Sequence, residues 1–162
     1  ERALGRDAVP LLRLAALSGG NRHLTALGAR LRLSNAESER LARLVLPDPA
    51  FDPATDASEA RAFLYRFGVE AFRDGVLIAW ARCEAPADSS RWRERFLLPL
   101  RWKVPELPVR GADLLERGLA QGPSIGRIVR AFEDWWIAED FPEDKARLAR
   151  ALSDLVKANN RP

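Results

Sequence analysis

The sequence predicts an all-α protein: an irregular multi-helix domain with a C-terminal helix–Gly turn–helix motif. Two observations predict it. Apolar residues recur at helical spacing along nearly the whole chain, and no segment sustains the period-two alternation of a half-buried strand. The breaks between periodic segments carry proline, glycine or a cap pattern, the residues that end or open helices. The chain has 162 residues, 47% of them apolar and 30% charged, so it has room for one helical domain or two small ones. Its longest uncharged apolar stretch, Gly75 to Ala81, is far shorter than the ~20 residues that span a bilayer. No membrane partner is expected.

Each element has its own signal. Residues 8–17 place apolar side chains at helical spacing around Arg13, and Ser18-Gly19-Gly20 ends that run. Asn21 is positioned to cap a second short helix carrying Leu24, Leu27 and Leu31. Ser34-Asn35-Ala36-Glu37 has the spacing of a capping box. The helix it opens sets Leu41, Leu44 and Val45 on one face, and Pro47, Pro49 and Pro53 stop it. In the loop that follows, Asp48, Asp52 and Asp56 recur every fourth residue. The alternating oxygen ligands and turn glycine of a calcium loop are missing, so these acids are expected to cap turns. A long helical stretch from Ser58 to Ala85 comes next, divided at Gly68. Its buried faces are read as Phe63, Leu64 and Phe67, then Val69, Phe72, Val76, Ile78 and Ala79. Residues 89–103 form another helix bent at Pro99.

The Pro-rich link VPELPV then separates a helical body region, 1–104, from a C-terminal helical hairpin and tail, 105–162, the two packed together. The tail reads as a short helix from Gly111, a glycine turn and a long helix. Pro142, Glu143 and Asp144 open a last helix that Asn159, Asn160 and Pro162 end.

Charge narrows the partners. Lys plus Arg is 26 against 23 for Asp plus Glu, a net charge of +3, and the pI is near 9.6. All the cations except Lys103, Lys145 and Lys157 are arginine, whose fork suits phosphate and carboxylate. A single Cys83 and a single His23 exclude a self-contained zinc site and an internal disulfide framework, and both are assigned ordinary packing or surface roles. The expected setting is reducing and cytoplasmic. The sequence has no Met and opens in helical text, so it is expected to be a piece of a longer protein whose other part holds the chemistry.

Two regions point toward nucleic acid. Arg91 to Arg110 holds Arg91, Arg93, Arg95, Arg101, Lys103 and Arg110 against Glu94 and Glu106, with Trp92 and Trp102 interleaved. Cations hold phosphate and rings stack on bases. The competing reading is a solvated charged face whose Trp residues anchor a core. The second region is the glycine turn. Gly118 stands where a short helix ends and is expected to need positive φ. Gly122-Pro123 opens the next helix, and Gly126 leaves its first turn bare, so backbone N–H groups can meet an anion with Arg127 and Arg130 nearby. The competing reading is close packing of two helices. Glu133 to Asp144 is acidic and is not expected to face RNA. Trp135 and Trp136 lie about 100° apart on a helix, so one should enter the core and the other sit at a boundary.

Two stretches carry a family resemblance. They are Leu31-Arg32-Leu33-Ser34-Asn35-Ala36-Glu37 with Glu39-Arg40-Leu41, and the pattern G-x-D-L-x(3)-G-L-x(2)-G-P-x-I-G over Gly111 to Gly126. With the intervening LYRFGVEAFRDGVLIAWA, they resemble the C-terminal helical half of the bacterial tRNA nucleotidyltransferase / poly(A) polymerase family, over nearly the whole chain. The resemblance implies a parent enzyme that adds nucleotides to RNA 3′ ends, using ATP or CTP and Mg²⁺ held by head carboxylates. It implies a tRNA or other structured RNA partner, the N-terminal catalytic head as a second partner, and no cofactor in this half. The expected RNA-binding residues are Arg101, Lys103, Arg110, Gly122, Gly126, Arg127 and Arg130, with no catalytic or metal residue and no activity for this half alone. A poly(A) polymerase C-terminal domain and a non-catalytic helical protein-interaction module are the alternatives. Two partial matches are set aside. Ser18-Gly19-Gly20-Asn21-Arg22 lacks the Asp and the strand of the family's catalytic turn. Glu143-Asp144-Lys145-Ala146-Arg147 matches the family's nucleotide-reading letters but follows the glycine turn instead of preceding the body, and reads as a capped helix start.

Overall fold

A computed structural model describes residues 4–5, 7–18, 24–45, 48–83, 85–116, 119 and 121–159. The protein is all-α. Among the described residues there are eight α-helices: α1 (Pro10–Leu17), α2 (Leu24–Arg30), α3 (Asn35–Val45), α4 (Ala57–Arg82), α5 (Ser90–Arg101), α6 (Gly111–Glu116), α7 (Pro123–Ala138) and α8 (Lys145–Asn159). A 3₁₀ turn, Pro49–Phe51, precedes α4. No helix among these residues is long and apolar enough to cross a membrane. The chain divides into two compact units, Glu1–Val104 and Pro105–Pro162. The expected cap Asn21, the lone His23, Pro47, Gly118, Asn160 and Pro162 lie outside the described residues.

In the first unit α4 packs against α1, α3, α5 and the 3₁₀ turn, and α2 rests on α3. The capping box opens α3: Ser34 N–H and Oγ donate to Glu37 Oε2 at 2.8 and 2.7 Å, and Glu37 N–H donates back to Ser34 Oγ at 3.3 Å. These bonds hold the Glu37 carboxyl below its usual pKa, the Ser34 hydroxyl contributing most. The core is built from Leu12 and Ala15 of α1, Leu41 and Leu44 of α3, and Leu64, Phe72 and Val76 of α4. Arg82 Nη2 donates to the Ala15 carbonyl at 2.9 Å and ties the end of α4 to α1.

Gly68 divides α4. Its φ of 81° and ψ of 174° fall outside the helical region and in one that only glycine enters readily. The break turns the chain, and it alters which side chains are covered. Leu64, Phe72, Val76 and Ile78 are buried as expected, and Phe63 and Ala79 are partly so. Phe67 and Val69, read from the sequence as buried, flank the break and are 53% and 37% exposed. Both stand next to the break, where the backbone leaves the helical path and their side chains are left partly uncovered.

The acidic loop is a set of nested caps. Asp48 Oδ1 accepts from Ala50 N–H at 2.8 Å, Asp52 Oδ1 from Ala54 N–H at 2.7 Å, and Asp56 Oδ1 from Ser58 N–H at 2.8 Å. The interval of four is thus a repeat of turn chemistry. Thr55 Oγ1 contacts the carbonyls of Pro49 and Asp52 at 2.6 and 2.7 Å and closes the loop.

In the second unit α7 packs against α6 and α8. Leu114, Ile128, Phe132, Trp136 and Leu152 form its buried centre. Between α7 and α8 the chain turns through Asp140 and Phe141, both with φ of 59°. The last helix starts at Lys145, three residues after Pro142, because Asp144 is its cap: Asp144 Oδ1 accepts from Arg147 N–H at 2.6 Å. Arg147 pairs with Glu139 and lies 5.9 Å over the Trp135 ring. The Glu143 to Arg147 stretch is therefore a capped helix start. Trp136 enters the core, and Trp135 sits half-buried at the boundary with α8.

Candidate nucleic-acid interface

The basic region of the first unit separates into two classes of residue. Trp92 is buried and stacks on Trp80, with ring centroids 6.1 Å apart and planes 11° apart. Arg95 is buried as well, and its Nη2 donates to the carbonyls of Asp52 and Thr55, both at 2.6 Å. Burial lowers its pKa, and the nearby Asp52 and Asp56 oppose that shift. Two of the residues that made this segment read as an interface are thus architectural. Trp92 faces inward because residues 92 and 96 lie one turn apart on the covered side of α5, and Arg95 shares that side. Sequence spacing contains this signal. The apolar pair Trp92 and Phe96 marks the inner face, and Arg95 stands beside it.

Arg91, Arg93, Arg101 and Lys103 remain exposed. Arg101 ends α5, where a cation suits the negative end of the helix dipole. Arg91, Glu94, Leu98 and Arg101 line a shallow hollow of about 280 Å³ beside the acidic loop, so an acidic neighbour shares this face. Leu100, 72% exposed, adds an apolar contact next to Arg101.

In the second unit the remaining expected residues fall on α6 and α7. Arg110 is exposed, and its backbone N–H donates to Asp113 Oδ2 at 2.7 Å, which caps α6. Gly122 is the N-cap of α7 in an extended conformation, with Pro123 at the first helical position and no side chain capping the start. Gly126, Arg127 and Arg130 are exposed on the side away from Ile128 and Phe132. Positions 126 and 130 lie one turn apart, and 127 lies beside them. A Cβ built on Gly126 meets nothing within 4 Å, and neither does one on Gly122. The arginines belong to the first two turns of α7. The acids Glu133, Asp134 and Glu139 follow toward its other end, so the helix is polarised along its length.

Other expected residues have ordinary roles. Cys83 follows α4, and its Sγ contacts the Trp80 carbonyl at 3.1 Å. Among the described residues no group of three or more His, Cys, Asp or Glu side chains is placed to hold a metal ion. The sequence reading missed the Arg40–Asp74 pair: Asp74 is buried on α4, and its Oδ2 accepts from Arg40 Nε at 2.8 Å and from Nη2. The partners are 34 residues apart, and only the packing of α3 on α4 brings them together. Comparison with protein-family models finds no matching family, and comparison with curated proteins finds no matching sequence.

Proposed function

We propose that this protein is the RNA-gripping helical part of a template-independent nucleotidyltransferase of the tRNA nucleotidyltransferase / poly(A) polymerase type. In that role it holds the acceptor end of a tRNA or similar structured RNA while a separate head performs nucleotide transfer. Such transfer draws on ATP or CTP and on Mg²⁺ bound by head carboxylates. The residues of this chain would bind and orient the RNA.

One observation carries the reading. Gly126 sits inside α7, where glycine costs about 1 kcal/mol relative to alanine. The helix does not require it for backbone conformation, and no described neighbour approaches closely enough to exclude a methyl group. What remains is an approach from outside. The bare helix start, the exposed Arg127 and Arg130, and the small surface at Gly126 together suit a phosphate backbone. Structured RNA is gripped by shape and backbone, since its deep groove hides the base edges. Arg101, Lys103 and Arg110 would contribute further phosphate contacts.

The test is titration of a tRNA acceptor–TψC minihelix at several salt concentrations. Affinity should fall steeply with salt. Arg101→Ala, Lys103→Ala and Arg110→Ala should each reduce the slope of log K against log[salt] by about one unit. A slope unchanged in all three variants would assign these residues to solvated surface. A salt-independent interaction would favour apolar docking instead.

A further inference from the structure

The second unit also carries an open groove of about 800 Å³ that the RNA reading does not use. Val109, Trp136, Leu148 and Leu152 form its apolar floor, and the prolines at 105, 108 and 142 wall it. Its charged lining is one-sided: Glu106, Asp113 and Glu143 against Lys145. Three carboxylates around an apolar floor repel phosphate, so this surface does not suit RNA. They favour a segment that brings its own cations.

The corner that forms one end of the groove is strained. Asp140 and Phe141 both have φ of 59°, a left-handed conformation that is unfavourable for a non-glycine residue. Three of the contacts that hold it centre on Trp136. Phe141 N–H donates to the Trp136 carbonyl at 2.9 Å, its ring meets the Trp136 ring edge-on at 5.0 Å, and Trp136 Nε1–H donates to the Pro142 carbonyl at 3.0 Å. The last contact satisfies the indole's polar atom internally, so Trp136 offers the groove only apolar surface. The strained turn sets Pro142 and Glu143 on the groove wall.

We infer that this groove is a docking site for a short protein segment that presents two or three apolar side chains flanked by Lys or Arg. The apolar side chains would seat on Leu148, Ala149 and the three prolines, above the buried Val109, Trp136 and Leu152, and the cations would meet Glu106 and Glu143 at the rim. Charge complementarity gives such a site faster encounter and partner choice, and the apolar floor gives it residence.

The experiment is selection of a random dodecapeptide phage library on the immobilised protein, followed by titration of the enriched peptides. Two variants separate the contributions. Ala149→Arg places a long cation in the groove from an exposed position of α8 and leaves the core untouched. Glu106→Lys with Glu143→Lys reverses the rim at two exposed positions. The expected result is enrichment of basic, apolar peptides whose affinity falls at least tenfold in each variant. Failure to enrich, enrichment of neutral or acidic peptides, or affinity indifferent to both variants would overturn the inference. So would loss of minihelix binding in Ala149→Glu, which would make the groove an RNA surface. A self-association of the wild type that Ala149→Arg abolishes would make it a contact between two copies, and would overturn it too.

Discussion

The ring of Phe51 lies directly over the bare Cα of Gly75. A Cβ placed on Gly75 would overlap that ring, far inside van der Waals contact. Phe51 also meets Phe63 edge-on at 4.8 Å and Phe72 at 6.2 Å, so it cannot withdraw without disturbing an aromatic cluster. The pair explains how a three-residue 3₁₀ turn docks tightly on α4. The missing side chain at 75 makes the seat, and the ring at 51 fills it.

Gly75→Ala should therefore destabilise the fold by roughly 1–3 kcal/mol through overpacking. Gly75→Ala combined with Phe51→Leu should recover part of that loss, because leucine can vacate the space. Urea unfolding of the two single variants and the double variant measures the coupling. Strict additivity would show that the two residues do not share the space.

Gly68→Ala should also destabilise, for a different reason. Space is open around Gly68, but its φ of 81° with ψ of 174° belongs to glycine alone. The expected cost is about 1–3 kcal/mol of backbone strain. No second-site truncation should relieve it. Rescue by trimming a neighbour would point to a steric cause instead.

The capping box makes stability depend on pH. The folded protein holds the Glu37 carboxyl below its usual pKa. Its contribution is therefore complete above the ordinary carboxylate range and is lost as pH falls through that range and below. Glu37→Gln should lower the urea midpoint at pH 7, and the gap from wild type should narrow as the pH is lowered toward 3. A gap that stays constant with pH would mean that the carboxylate's charge plays no part.

Gly126→Ala should separate folding from binding. It should leave stability unchanged or raise it by ~0.5–1 kcal/mol, since alanine is the better helix former and nothing obstructs the methyl group. Under the proposed function it should weaken minihelix binding, as should Arg127→Ala with little effect on folding. Melting temperature and minihelix affinity, measured on the same preparations, check both halves. A folded Gly126→Ala variant with normal RNA affinity would remove the glycine from the interface.

The candidate surface was only partly legible in the sequence. The exposed Arg101, Lys103, Arg110, Arg127 and Arg130 were readable from composition and spacing, because an arginine without an apolar partner in its row defaults to solvent. Arg95 was not, since its acceptors are carbonyls of a loop some 40 residues earlier in the chain. The inward face of Trp92 was readable from its spacing to Phe96, but its stacking partner Trp80 on α4 was not.

By itself the sequence determined the helical class, the capping box at Ser34 and Glu37, the Asp48, Asp52 and Asp56 caps, the break at Gly68 and the start of α7 at Pro123. All of these are local: a side chain bonds a backbone group a few residues away, or a residue's own φ preference decides. Tertiary structure alone decided that Phe51 sits on Gly75, that Asp74 is buried against Arg40, that Phe67 and Val69 face outward, and that Trp136 closes onto Pro142. Each of these depends on which helix arrives opposite, and on the space left when it does. A chain's local preferences do not encode that space.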